Sequence, residues 1–118
     1  MGLSIDQIIY QAAKETGVDR ARVATGVGII ADFVARESPK EVSAALFAKF
    51  PGLQALAAEH VTNAEGLFGV FNSLSASGLS MSEIPAVAMS FVRQIQEAGA
   101  KPEVDAVVRA IPGLGQFI

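Results

Sequence analysis

Apolar residues recur at helical spacing along most of this chain. In the first segment Ile5, Ile8 and Ile9 fall on one helical face, whereas Asp6 and Gln7 fall on the other. No segment keeps the period-two alternation of a half-buried strand. The pattern therefore predicts an all-α fold, a compact helical bundle of six to seven helices in one domain over residues 1–118.

Capping residues divide this pattern into helices. Ser4 with Gln7 is a capping-box start and Gly17 a stop, which places the first helix at about residues 5–16. Asp19 is a good N-cap for a second helix that runs to about Glu37. We predict further N-caps at Ser38, Thr62 and Ser80, each followed by residues typical of a helix start. We also predict a short fourth helix over about 53–60 and a seventh helix from Pro102, with helix ends at Gly78 and Gly99.

The most apolar stretch, Val23–Ala35, lies inside the second helix. It is too short for the ~20 residues that span a bilayer, and Asp32 interrupts it. A helix that is apolar nearly all round is usually central. We therefore expect a buried helix and no membrane span, with Gly26 and Gly28 allowing a neighbouring helix to approach closely.

The tetrapeptide "FPGL" at residues 50–53 returns as "IPGL" at 111–114, 61 positions later. At the same offset Gly17 meets Gly78, and apolar classes align through most of both halves. The alignment predicts two tandem repeats, 1–57 and 62–118, related by a pseudo-twofold axis, with helices 2 and 6 at the centre. The alternative is that any helical hairpin reuses the same caps and turns. Asp32 and Arg93 are equivalent at this offset; they form an ion pair or are two unrelated surface charges.

Four segments carry a resemblance to a known family: "GVDRARVATGVGIIADFV", "SPKEVSAALFAKFPGLQAL", "GLFGVFNSLSASGLSMSEIPAVAMSFVRQIQEAG" and "VVRAIPGL". Together they resemble the VcgC/VcgE type of small bacterial proteins of unknown function. The shared features are a Gly- and Ala-rich helix, a helix ending in Pro-Gly-Leu, a Gly-Leu/Phe-rich helix and a final long helix. The resemblance implies an all-α fold and implies no activity or functional residue.

Composition narrows the function. Apolar residues make up 51% of the chain and charged residues 18%, and the net charge is −3. Because no basic stripe is present, we expect no nucleic-acid binding. The absence of cysteine excludes disulfides and thiolate metal sites. The N-terminal sequence lacks a basic start followed by an apolar run, so we expect a cytoplasmic protein.

Candidate chemistry is sparse. "GVGIIA" at residues 26–31 fits a dinucleotide fingerprint in letters, but the fingerprint needs a preceding strand and this segment is helical. His60 is the only histidine, and no second histidine or cysteine accompanies it as a metal ligand or base partner. Glu41, Glu65 and Glu83 are better explained as residues of helix starts. We therefore predict a non-enzymatic protein with no cofactor and no metal.

Two functions fit a small, strongly apolar helical protein. The first is protein–protein contact, most simply self-association into a homo-oligomer that buries surplus apolar surface. The second is a carrier or sensor that binds a small apolar ligand, such as a fatty acid, between the two halves. A cavity above a few hundred Å³ would favour the ligand, and a solid core with an exposed apolar face would favour assembly. The candidate groove residues are Phe33, Phe68, Phe71 and Phe91.

Overall fold

The computed structural model describes residues 4–62 and 65–116 of the chain. Within these ranges the chain is helical and contains no β-strand, which confirms the predicted all-α bundle. The helices are α1 (Ile5–Thr16), α2 (Arg20–Glu37), α3 (Lys40–Lys49), α4 (Pro51–Glu59), α5 (Gly66–Ala76), α6 (Glu83–Ile95) and α7 (Lys101–Ala110).

The predicted ends of α1 and α2 are confirmed because their caps are built from neighbouring residues. The Ser4 hydroxyl accepts the Gln7 N–H at 3.2 Å, and Gln7 Oε1 accepts the Ser4 N–H at 3.0 Å. Gly17 closes α1 with φ 75°, a conformation that favours glycine. The Asp19 carboxylate accepts the Arg22 N–H at 3.0 Å and starts α2.

Two of the predicted N-caps are wrong. Ser38 does not cap α3, since its hydroxyl donates to the Val34 carbonyl at 2.6 Å and so belongs to the end of α2. Thr62 does not cap α5, which begins at Gly66. The backbone N–H of Thr62 donates instead to Asp32 Oδ2 at 3.1 Å. The predicted Thr62–Glu65 capping box also includes residues 63 and 64, which lie outside the described residues.

The third predicted N-cap is displaced: the reciprocal bonds between Ser80 and Glu83 are present, but Ser82, not Ser80, is the N-cap of α6. Glu83 accepts the Ser80 N–H at 2.9 Å, and Ser80 accepts the Glu83 N–H at 3.2 Å. At its other end α6 is joined to α7 by a kinked turn over Gln96–Ala100, in which Gly99 has φ 104°. Lys49 on α3 donates to the Gly99 carbonyl at 2.9 Å, so this turn is tied to a second helix.

The long helix α2 lies at the centre of the core. It packs on α1, α3, α4, α5 and α6 and contributes the largest group of buried residues. Each of the two outer helices packs mainly on a helix from the other half of the chain. Helix α1 packs more extensively on α6 than on α2, and α5 packs more extensively on α2 than on α6. A contact between α3 and α7 completes the bundle.

A close approach between α2 and α4 depends on Gly28. A Cβ atom at this position would lie 2.4 Å from His60 Nδ1 and 3.0 Å from the Leu56 carbonyl oxygen. His60 itself lies with Nδ1 3.0 Å from the same carbonyl. Within the "GVGIIA" segment, Gly28 therefore faces α4, whereas a Cβ atom at Gly26 would lie 3.0 Å from Leu79 Cδ1, on a different side of α2.

A buried carboxylate joins α2 to the segment after α4. Asp32, only 6% exposed, accepts from Arg36 Nε at 3.0 Å in addition to the Thr62 N–H. Of the two alternatives for Asp32 and Arg93, the ion pair is wrong, because Arg93 pairs with Glu15; the two charges are unrelated, but Asp32 is buried and not on the surface. Partners on the neighbouring turn and segment satisfy Asp32 before a more distant cation can reach it.

Helix bounds recur at the 61-residue offset. The α1 range shifted by 61 begins with α5, and the α3 range shifted by 61 coincides with α7. Burial recurs as well, since Val23 and Ile84 are both buried, as are Phe50 and Ile111. These recurrences agree with an internal duplication, which stays a prediction.

One ion pair joins residues that are related by this offset. Arg22 Nη1 on α2 lies 3.2 Å from Glu83 Oε1 at the start of α6. Two positions related by a twofold axis can touch only near that axis. The contact therefore places the proposed axis between the starts of α2 and α6.

Candidate functional site: an apolar groove on α5, α6 and α7

A groove opens on the surface between α5, α6 and α7, with α2 beneath it. Every residue that lines it is apolar, and its cavity volume is about 130 Å³. Representative side chains from the three wall helices are Leu67, Phe71, Ala88, Met89, Val104 and Val107. The lining offers no acid, base or metal ligand, so the groove can hold apolar groups and nothing in it can transfer a proton.

Two of the four predicted groove residues lie in the groove and two do not. Phe71 and Phe91 line it. Phe33 is buried elsewhere in the core, because it is about 100° around α2 from Val34, which faces the groove. Phe68 is about 100° around α5 from Leu67 and is 90% exposed, so its expected place on the inner face is wrong.

On the side of the groove formed by α5 and α6 the surface is apolar and almost free of charge, whereas the α7 side carries charged residues. Phe68, Met81 and Met89 are exposed by 90%, 80% and 59%. Between Gly66 and Val92 the only charged residue is Glu83, which pairs with Arg22. We call this surface, formed by α5 and the first two turns of α6, the uncharged face. The sequence indicates this face by a long segment with almost no charged residues. The spacing of apolar residues alone does not indicate it.

A polar network joins α1 to α6 beside this face. Arg93 and Ser90 donate to Glu15 Oε1, Ser90 from 2.8 Å, and Gln11 donates to Glu15 Oε2 from 3.1 Å. These hydrogen bonds, that from Arg93 first, lower the pKa of Glu15 from 4.5 to about 2, although burial acts in the opposite direction. Gln94 adds a buried bond to the Ile8 carbonyl at 3.2 Å, so the α1–α6 contact is fixed by polar as well as apolar groups.

This network predicts a pH dependence of stability. In the unfolded chain Glu15 takes up a proton near pH 4.5, whereas in the folded chain it stays ionised until about pH 2. Its contribution is therefore complete above pH 4.5 and is lost as the pH falls toward 2. Urea unfolding at a series of pH values should show this loss in the native chain and a flatter profile in Glu15→Gln. The exposed Glu41→Gln controls for the removed charge, and parallel profiles for the native chain and Glu15→Gln would contradict the assignment.

Other candidate chemistry finds no site in the described ranges. His60 is half-buried against Leu56 and Gly28. Over residues 4–62 and 65–116, no three His, Asp or Glu side chains are grouped so that they could hold a metal ion. No helix in the same ranges combines the length and apolar character needed to cross a bilayer.

The fold and its groove define a small all-α helical bundle with an apolar groove on its surface. Comparison of the chain with protein-family models, with curated proteins and with solved structures finds no match. The resemblance to the VcgC/VcgE type therefore stays a prediction.

Proposed function

We propose that this protein is a non-catalytic helical module that acts through protein contacts, and that its first partner is a second copy of the same chain. The observation that carries the proposal is the uncharged face, where Phe68, Met81 and Met89 are exposed and Met89 also lines an apolar groove. Exposed apolar surface of this kind is the usual mark of an interaction site. Depletion of charge is the compositional mark of an interface core.

Self-association suits this face better than a charged partner does. Around the axis of a twofold dimer each residue faces its own copy, so like charges would repel across the interface. The segment from Gly66 to Val92 has one charged residue, Glu83, and Arg22 already compensates it. Pairing two copies therefore buries apolar surface without placing a single-sign cluster against itself.

A concentration series tests this proposal. Light scattering coupled to gel filtration should show the mass rising from monomer toward dimer between low-micromolar and near-millimolar protein. The association should persist in high salt, because the uncharged face contributes only one charged residue, Glu83, and Arg22 already compensates it. A protein that stays monomeric at every concentration would overturn the proposal.

A second candidate is the binding of a small apolar ligand, such as a fatty acid, in the groove. The wholly apolar lining favours it. The volume of about 130 Å³ does not, since ligand pockets span ~300–1,000 Å³. Native mass spectrometry and thermal shifts with saturated fatty acids of graded length test it. A shift that peaks for short chains would support the ligand, whereas no bound mass and no shift at any length would count against it.

A further inference from the structure

The groove corresponds to a place that α4 fills in the first half of the chain. Helix α4 packs on α2 and also contacts α1 and α3. Shifted by 61 residues, these three helices become α5, α6 and α7, which are the walls of the groove. In the second half the described residues after Gly113 form a 3-10 turn over Leu114–Gln116, and Leu114 lines the groove in the place equivalent to buried Leu53.

Individual contacts support this correspondence. In the first half, Gly28 on α2 leaves room for the Leu56 carbonyl of α4 and for His60 just after α4, since a Cβ atom at Gly28 would lie within 3.0 Å of both. Its counterpart at the offset is Met89 on α6, which is exposed at the edge of the groove. The groove is therefore bounded by the helices that correspond to those around α4. Its wholly apolar lining suits apolar side chains that project from a helix.

The side chain best placed to enter the groove of a neighbouring molecule is carried by α5. Leu67 and Phe71 line the groove from α5, while Phe68 between them points away and is the most exposed large apolar side chain among the described residues. A phenylalanine exposed on a regular helix contributes nothing to its own core. It is available to a neighbour, since aromatic side chains bring the largest apolar area to an interface.

We propose that Phe68 of a second copy fills the groove, and that the two copies exchange this contact reciprocally; the inference rests on the proposed self-association. Phe68 projects from α5, the helix that also forms one wall of the groove, so a twofold rotation can bring each onto the other and close the assembly at two. The sizes agree, because the groove volume of about 130 Å³ is close to the ~150 Å³ of an apolar cavity that binds benzene.

Paired substitutions of exposed aromatic residues test the contact. Phe68→Ser should weaken the dimer at least about tenfold, as expected for an aromatic anchor at an interface centre. Tyr10→Ser is the matched control: Tyr10 is also exposed on a helix, but it lies on α1 away from the groove, so the dimer should keep its affinity. Thermal unfolding of Phe68→Ser at dilute, monomeric concentration should match the native chain, because this side chain has no core contacts to lose.

The outcomes separate this inference from the proposed function. A native chain that is monomeric throughout overturns both. A native chain that dimerises equally well with Phe68→Ser keeps the proposed function and overturns the contact. Flotation of a monomeric native chain with phosphatidylcholine vesicles, lost in Phe68→Ser, would assign the uncharged face to a membrane surface and overturn both.

Photo-crosslinking locates the contact directly. Benzoylphenylalanine in place of Phe68 keeps the aromatic ring and makes it reactive. In a mixture of isotopically light and heavy chains, mass spectrometry should find light–heavy crosslinks to the groove residues of α6 and α7, with Met89 among them. Crosslinks confined to one chain, or to helices outside the groove, would overturn the proposal.

Discussion

Replacing Phe50 with alanine is expected to lower the free energy of unfolding by about 3–5 kcal/mol. Phe50 is 1% exposed and lies between α3 and α4, where the chain turns at Pro51. Removing its ring leaves a cavity that the surrounding helices can fill only in part. Urea unfolding followed by circular dichroism measures the loss, and a change below about 1 kcal/mol would show that the site collapses around the smaller side chain.

Two other positions make this measurement more specific. Ile111 is the counterpart of Phe50 at the 61-residue offset and is also buried. Its replacement by alanine should cost about 2–5 kcal/mol. Phe68→Ala is the surface control and should change the free energy of unfolding by less than about 0.5 kcal/mol. Equal losses at all three positions would contradict the burial that separates them.

Replacing Asp32 with alanine is expected to lower the free energy of unfolding by about 2–3 kcal/mol, since hydrogen bonds to a charged group are worth about 1.5–3 kcal/mol. The change removes the acceptor of the Arg36 Nε–H and of the Thr62 backbone N–H, at 3.0 and 3.1 Å. Arg36 can turn toward water, whereas the N–H of Thr62 is held by the chain. Equilibrium urea unfolding gives the comparison.

Asp32→Asn is the matched variant for this prediction. It keeps the size of the side chain and one oxygen acceptor while it removes the charge. Its loss should therefore fall between zero and that of Asp32→Ala. An Asp32→Ala chain as stable as the native one would show that the carboxylate's hydrogen bonds only replace those that it makes with water.

Local signals were enough to predict where α1 and α2 begin and end. The Ser4–Gln7 capping box, Gly17 and Asp19 each act on residues within one turn, so the sequence alone contains both partners. Ser38 and Thr62 have the same residue types but different roles. Ser38 bonds back to the preceding helix, and Thr62 bonds to Asp32, which is 30 residues earlier in the chain. Long-range partners of this kind leave no mark in the local pattern.

The groove was only half predicted for a related reason. Helix α5 has no charged residue, so no polar side fixes the direction in which it faces. Leu67 and Phe68 are adjacent in sequence and equally apolar, and spacing could not decide which of them lies inward. Only the packing of α5 on α2 assigns Leu67 to the groove and Phe68 to the surface.

The packing of each outer helix on the other half of the chain affects how the protein can fold. The first helix finds its main neighbour in α6, and α5 finds its main neighbour in α2, so each half supplies the cover for the other. These contacts are distant in sequence, and forming them requires closing long loops of chain. We therefore expect that neither half folds on its own and that the two halves fold cooperatively. Folding should be slower than in a bundle whose helices pack mainly on their neighbours in sequence.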